Sequence, residues 1–268
     1  MSSMRESRDP GLPRGFFYVH QDNYCVVTVR DSAYRYLYSD SATSCIIVIL
    51  QGRNLAGEDT VLLAHISDPQ RFEALSEVVD SSFSGPVQVW AQGANPHSAE
   101  ASVCNVRILM RWLSDHAQRE QEASSRQLAW SVERVHLALG QGEPGQHDHH
   151  AFGIDLDRRI VSNKAFKMTP VQRDPTGGAQ VLFAMFGAAL PPRLRLWNAE
   201  DELPLALQCE LVNAARKAHW TRLVRMSDDD ILYACSSTPT GDVPWFSDTL
   251  RMSAQFVEKF DTSRCPEK

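Results

Sequence analysis

The chain has 268 residues, 33 acids against 27 bases for a formal net charge of −6, and 43% apolar residues. That apolar share is too high for a disordered chain, and the acidic balance argues against a nucleic-acid-binding face. The six cysteines, at positions 25, 45, 104, 209, 235 and 265, form no CxxC pair, which excludes a zinc ribbon and a thioredoxin motif. So sparse a set fits free thiols in a reducing cytosol. No apolar run is longer than Cys45–Leu50, far too short to span a membrane, and the polar, charged first residues do not read as a secretory signal. The expectation is a cytoplasmic protein with no nucleic-acid or membrane partner.

Residues 1–14 read as a flexible arm, 15–262 as one domain and 263–268 as a flexible tail. Aromatic and β-branched residues over Phe16–Val29 and Tyr34–Tyr38 predict strands. The small polar run Ser39–Cys45 then feeds into Ile46–Leu50, whose unbroken apolar character suits a strand buried on both faces. After a turn over Gln51–Asp59, Val61–Ile66 reads as a second buried strand, antiparallel to the first. Asp68 and Pro69 suit the N-cap and first position of a helix with Phe72, Leu75, Val78 and Val79 on one face.

Val87–Ala91 predicts a strand, Ser98 to about Ser124 a long amphipathic helix, and Leu128–Leu139 an alternating strand. Gly140–His150 is a Gly-, Pro- and His-rich loop. Phe152–Leu156 with Ile160–Phe166 reads as a hairpin, and Val181–Phe186 and Leu194–Trp197 as further strands. Ser227 opens a short helix whose first turn is acidic, and a last helix runs over Phe246–Phe260. This alternation of hairpins and helices predicts an α/β fold of the α+β type, a sandwich in one domain.

Cys45 is the first candidate for chemistry. It stands where a loop of small residues meets a buried strand, so its backbone is fixed while the amides before it stay accessible. An antiparallel hairpin brings the start of 46–50 to the end of 61–66 and so places His65 at the same sheet edge as Cys45. A Cys–His pair would lower the thiol pKa through a thiolate–imidazolium couple. A hydroxyl could orient the imidazole, and Ser39, Ser41 and Thr43 all share strand parity with Cys45. The same residues also read as a small core cysteine and a surface histidine.

The segments Phe17-Tyr-Val-His-Gln21, Ser39-Asp-Ser-Ala-Thr-Ser-Cys-Ile-Ile-Val-Ile-Leu50 and Leu62-Leu-Ala-His-Ile-Ser-Asp68 resemble the protein N-terminal asparagine amidohydrolase family. So do Phe152-Gly-Ile-Asp-Leu-Asp157, Asp229–Pro239, Val243-Pro-Trp-Phe246 and Leu250-Arg251, in the same order over roughly residues 16–257. Chemotaxis-receptor glutamine deamidases are similar at greater distance, with a hydroxyl residue six positions before a Cys and a His on the next strand. That spacing picks out Ser39, Cys45 and His65.

The resemblance implies a layered α–β–β sandwich with mixed, largely antiparallel sheets and a cysteine amidohydrolase needing no cofactor or metal. Cys45 would attack the side-chain amide of an N-terminal Asn in a peptide or protein substrate, and His65 would move the proton. Backbone amides at Ser44 and Cys45 would hold the oxyanion. Asp68, Asp40 and Gln21 are the candidates for the substrate's α-ammonium, although Asp68 also reads as a helix cap and Asp40 as a turn residue. This chain departs from the family in a shorter stretch before Cys45 and in the Gly140–His150 loop.

Other substrates compatible with the same chemistry are a free amide, a pathway peptide or a Gln on a folded protein. A peptide-binding module that has lost catalysis, and a transamidase, are the alternatives of other classes. His147-Asp-His-His150 reads as a solvated loop rather than a metal site.

Overall fold

The structure, a computed structural model, describes residues 15–68, 70–95, 97–122, 130–140, 151–162, 178–187 and 196–265. The first strands are β1 (Phe16–Tyr18), β2 (Asn23–Thr28) and β3 (Tyr36–Ser39). The stretch read as one strand over 16–29 is therefore two, divided around Asp22, whose φ of 56° turns the chain. β1 joins β3 in one sheet, whereas β2 joins the other.

The expected hairpin is present as β4 (Ile46–Arg53) and β5 (Asp59–Ile66), paired antiparallel with Ile47 opposite His65. It is followed by α1 (Arg71–Ser82), β6 (Ser84–Gly93), α2 (Glu100–Glu122), β7 (Trp130–Leu139), β8 (Phe152–Asp155) and β9 (Ile160–Ser162). Helix α1 starts later than Asp68 suggested. The Asp68 carboxylate accepts the Gln70 N–H at 2.8 Å and its carbonyl accepts the Arg71 N–H at 3.0 Å, so it makes a turn ahead of the helix. Pro69 lies outside the described residues, as do 163–166 of the expected second hairpin.

Two sheets result, a six-stranded one in the order β10-β2-β5-β4-β6-β7, where β10 is Trp197–Asn198, and a four-stranded one in the order β1-β3-β8-β9. Pairings β1–β3, β10–β2 and β6–β7 are parallel and the other five antiparallel. The apolar run in β4 is continuous because its two faces enter two cores. Ile46, Val48 and Leu50, with Leu62, Ala64 and Ile66, pack under Phe72, Leu75 and Val79 of α1 and Leu109 and Trp112 of α2. Cys45, Ile47 and Ile49, with Val61, Leu63, Cys25 and Val27, pack on Leu37, Phe152 and Ile154 of the smaller sheet. The layers are thus helix, six-stranded sheet and four-stranded sheet. This is the mixed α/β sandwich expected, closed by burying both faces of the central strands.

A third core belongs to α3 (Ala179–Phe186), α4 (Leu205–Lys217), a 3-10 turn over Trp220–Arg225, α5 (Asp228–Cys235) and α6 (Phe246–Lys259). The Val181–Phe186 strand expected from sequence is a helix instead. A short apolar run has no decisive period, and here Leu182 and Phe183 are buried in the helical core, Val181 packs against that core and also lines the cavity, and Ala184 and Met185 line the cavity. Gly178 precedes it with φ +104°, and a Cβ there would come within 2.7 Å of Ser253 Cα on α6. Its absence lets α3 lie directly on α6.

Ser227 caps α5 as expected, its hydroxyl accepting the Asp230 N–H at 3.2 Å. Cys209 on α4 and Cys265 form a disulfide, with Cα atoms 5.9 Å apart. That corrects two expectations. Not all the cysteines are free thiols, and the segment from 263 is no loose tail up to Cys265, because a 3-10 turn over Thr262–Arg264 returns the chain to α4. Among the described residues no helix is long and apolar enough to cross a membrane.

Candidate active site

The loop entering β4 is anchored on every side. The Thr43 carbonyl accepts the Asn95 N–H at 2.6 Å, and the Cys45 carbonyl the Ala94 N–H at 2.8 Å. The Ser44 carbonyl accepts Asn105 Nδ2 of α2 at 2.8 Å. Gly93 is required for this approach, since a Cβ there would sit 2.2 Å from the Cys45 carbonyl oxygen. With three consecutive carbonyls tied to the scaffold, the peptide planes at Ser44 and Cys45 are fixed. Three of the five non-glycine residues with positive φ among the described ones, Asp22, Ser41 and Ala94, lie in the loops around this point. Strain of that kind, about 1 kcal/mol or more each, collects where surrounding bonds over-determine the backbone.

His65 stands opposite Ile47, and Cys45 lies two residues before Ile47, so both side chains emerge on one face of the sheet. Both line a cavity of about 290 Å³. Ser39 at the end of β3 reaches the ring from the smaller sheet, with Oγ 2.8 Å from His65 Nδ1. The Ser39 hydroxyl donates its one proton to the Val19 carbonyl at 2.6 Å, because a carbonyl can only accept. Ser39 Oγ must therefore accept from His65 Nδ1–H. The neutral imidazole is held as the Nδ1–H tautomer with its lone pair on Nε2.

Two carboxylates line the same cavity. Asp40 accepts the Tyr18 hydroxyl at 2.8 Å and the Ser41 hydroxyl at 2.9 Å. Asp242 accepts the Thr43 hydroxyl at 3.3 Å and the Ser236 hydroxyl. Ser44 Oγ is 2.9 Å from Ser237 Oγ, so the segment after α5 docks on the residues before Cys45.

The expected lowering of the thiol pKa is not what this environment produces. Burial pushes Cys45 far up, and the charges of Asp22 and Asp242 push it further, against a smaller pull from the Ser44 hydroxyl and the Cys45 amide. The resting group is a neutral thiol. Asp22 itself is fully buried, and its carboxyl is raised to about 6 because burial outweighs Arg71, 3.6 Å away, and two hydrogen bonds from Ser67.

Of the residues singled out in the sequence, Cys45, His65, Ser44, Asp40 and Gln21 line the cavity. Ser39 stands behind His65, and Asp68 lies in the turn before α1, away from the cavity walls. Sequence reasoning gave no role to Tyr18, Gln180, Thr238 or Asp242. The resemblance had marked the segment after α5 without a role for any of its residues, and Gln180 lay beside a run read as a strand. Among the described residues no group of three or more His, Cys, Asp or Glu is placed to hold a metal ion. The His147–His150 loop lies outside them.

A family model described as protein N-terminal asparagine amidohydrolase matches residues 6–88, the part that holds Ser39, Cys45 and His65. The chain is similar to that family. The mouse protein N-terminal asparagine amidohydrolase is 23% identical to it over 257 residues, covering 92% of this chain and 76% of the mouse protein. Both matches carry the name of an amidohydrolase, in agreement with the resemblance read from the sequence.

Proposed function

We propose that this protein is a cysteine amidohydrolase that converts an N-terminal Asn of a peptide or protein to Asp, releasing ammonia. The observation that carries the reading is one cavity lined together by Cys45, the Ser39-oriented His65, and the carboxylates of Asp40 and Asp242. A substrate with a positive α-ammonium next to a reactive amide needs such a combination. Asp40 and Asp242 take the ammonium, and Gln21 is a further polar wall residue.

Cys45 Sγ attacks the side-chain amide carbon while His65 Nε2 takes the thiol proton. The oxyanion is held by the amides of Ser44 and Cys45. The carbon–nitrogen bond then breaks, and His65 returns the proton to the departing ammonia. Water, deprotonated by His65, attacks the thioester. The carbon–sulfur bond breaks, the thiol is re-formed and Asp remains. A buried neutral thiol suits this order, since the proton leaves as the bond forms. The bound ammonium would offset the field of Asp242 that holds the thiol up.

The raised thiol pKa also favours a second reading, a peptide-binding module with an inert Cys45. Ammonia release over a panel of Asn- and Gln-starting peptides, with free and blocked N-termini, separates the two. The expected outcome is release from free Asn termini only, abolished in Cys45→Ala. Binding that survives Cys45→Ala, with no ammonia from the wild-type protein, would establish the module instead.

A further inference from the structure

Two polar atoms on the helical side of the cavity have no partner among the described residues. Gln180, in the first turn of α3, is 4% exposed and lines the cavity, and its Oε1 meets no donor among the described residues. Thr238, in the segment after α5, is 5% exposed and lines the same cavity, and its Oγ1 is likewise unmatched. Both are held in place by their backbones. The Gly178–Ser253 approach seats α3 on α6. The Thr238 N–H donates to Ser236 Oγ at 2.8 Å, and the Thr238 carbonyl accepts the Gly241 N–H at 2.8 Å. A buried polar atom left without a partner costs stability and is kept where a ligand completes it.

The chemistry of an N-terminal Asn tells which ligand group this is, and the argument rests on the proposed amidohydrolase reading. The ammonium is matched by carboxylates, the reacting carbon by Cys45 and the oxyanion by backbone amides. The polar group still unserved is the first peptide bond, one donor and one acceptor. The wall offers the complement, a neutral amide oxygen and a hydroxyl. We propose that Gln180 and Thr238 read the first peptide bond of the substrate. Gln180 Oε1 accepts the N–H of the second residue, and the Thr238 hydroxyl donates to the carbonyl of the Asn. Free asparagine would instead set a carboxylate against the Gln180 oxygen, so the pair selects peptides over the free amino acid.

The test compares an Asn-Gly peptide with the same peptide carrying N-methylglycine at the second position, which lacks that N–H, in wild-type and Gln180→Leu protein. The wild type is expected to favour Asn-Gly by on the order of tenfold in kcat/KM, and Gln180→Leu to bring the two peptides within about twofold. The Tm of Gln180→Leu should be unchanged or higher, because an unmatched acceptor has been replaced by an apolar side chain beside Val181 and Ala184. Thr238→Val should lower kcat/KM for both peptides alike, again without loss of Tm. Equal turnover of both peptides by the wild type, or a preference that persists in Gln180→Leu, overturns the assignment. Release of ammonia from neither peptide by the wild type would overturn the amidohydrolase reading, and this assignment with it.

Discussion

At the residue scale the site is governed by which polar groups are buried together. Ser39 accepts the His65 Nδ1–H and so leaves the lone pair of the neutral ring on Nε2; in the proposed mechanism it acts only through His65. Asp22 is the residue whose titration is visible from outside. Its carboxyl titrates near 6 when folded against an ordinary 3.8, so between those pH values the folded state holds more protons than the unfolded one. The stabilisation is complete below about pH 4 and is lost as pH rises through 6. It amounts to at most about 3 kcal/mol at 1.36 kcal/mol per pKa unit. Urea unfolding of wild type and Asp22→Asn across pH 4–7 should show the wild type losing stability relative to the variant over that window. Parallel curves would contradict the burial argument. The placement of Cys45 and His65 on one face of the sheet was legible in the sequence because the loop-to-strand junction and the hairpin register are local features. Asp22, Asp242 and Gln180 were not, since their environment comes from chain segments far apart in sequence.

At the element scale legibility followed burial. β4 and β5 read correctly because a strand buried on both faces leaves a run of β-branched and aliphatic residues. α3 was misread for the same reason, being apolar on its core face and on its cavity face alike. What decides it is Gly178, whose positive φ and contact with α6 start a helix there. Asp68 illustrates the opposite error, a capping residue used in a turn one step ahead of its helix. Gly178→Ala should cost about 1–3 kcal/mol in denaturant unfolding, from the forbidden φ and the clash with Ser253. It should also lower activity on Asn peptides, because α3 carries Gln180. Unaltered stability would show that α3 does not depend on this approach.

At the scale of the whole molecule, the two-sheet sandwich supplies a floor and the helical cluster a roof. The floor brings Cys45 and His65 from adjacent strands, with Ser39 from the second sheet. The roof brings Gln180, Thr238 and Asp242 from chain more than a hundred residues away, and the Cys209–Cys265 disulfide ties the end of the described chain into it. Hydrophobic patterning foretold the layered floor, since paired apolar strands and amphipathic helices leave periodic signatures. It said little of the roof, where short helices, 3-10 turns and a disulfide leave none. The central claim is that Cys45 forms a thioester with the substrate's side chain. It is tested most directly by acid-quenching the protein during turnover of an isotopically labelled Asn-starting peptide and mapping the label. The account predicts label on the Cys45 peptide alone, released by hydroxylamine and absent from Cys45→Ala. Ammonia release with no label on Cys45, or label on another cysteine, would contradict it.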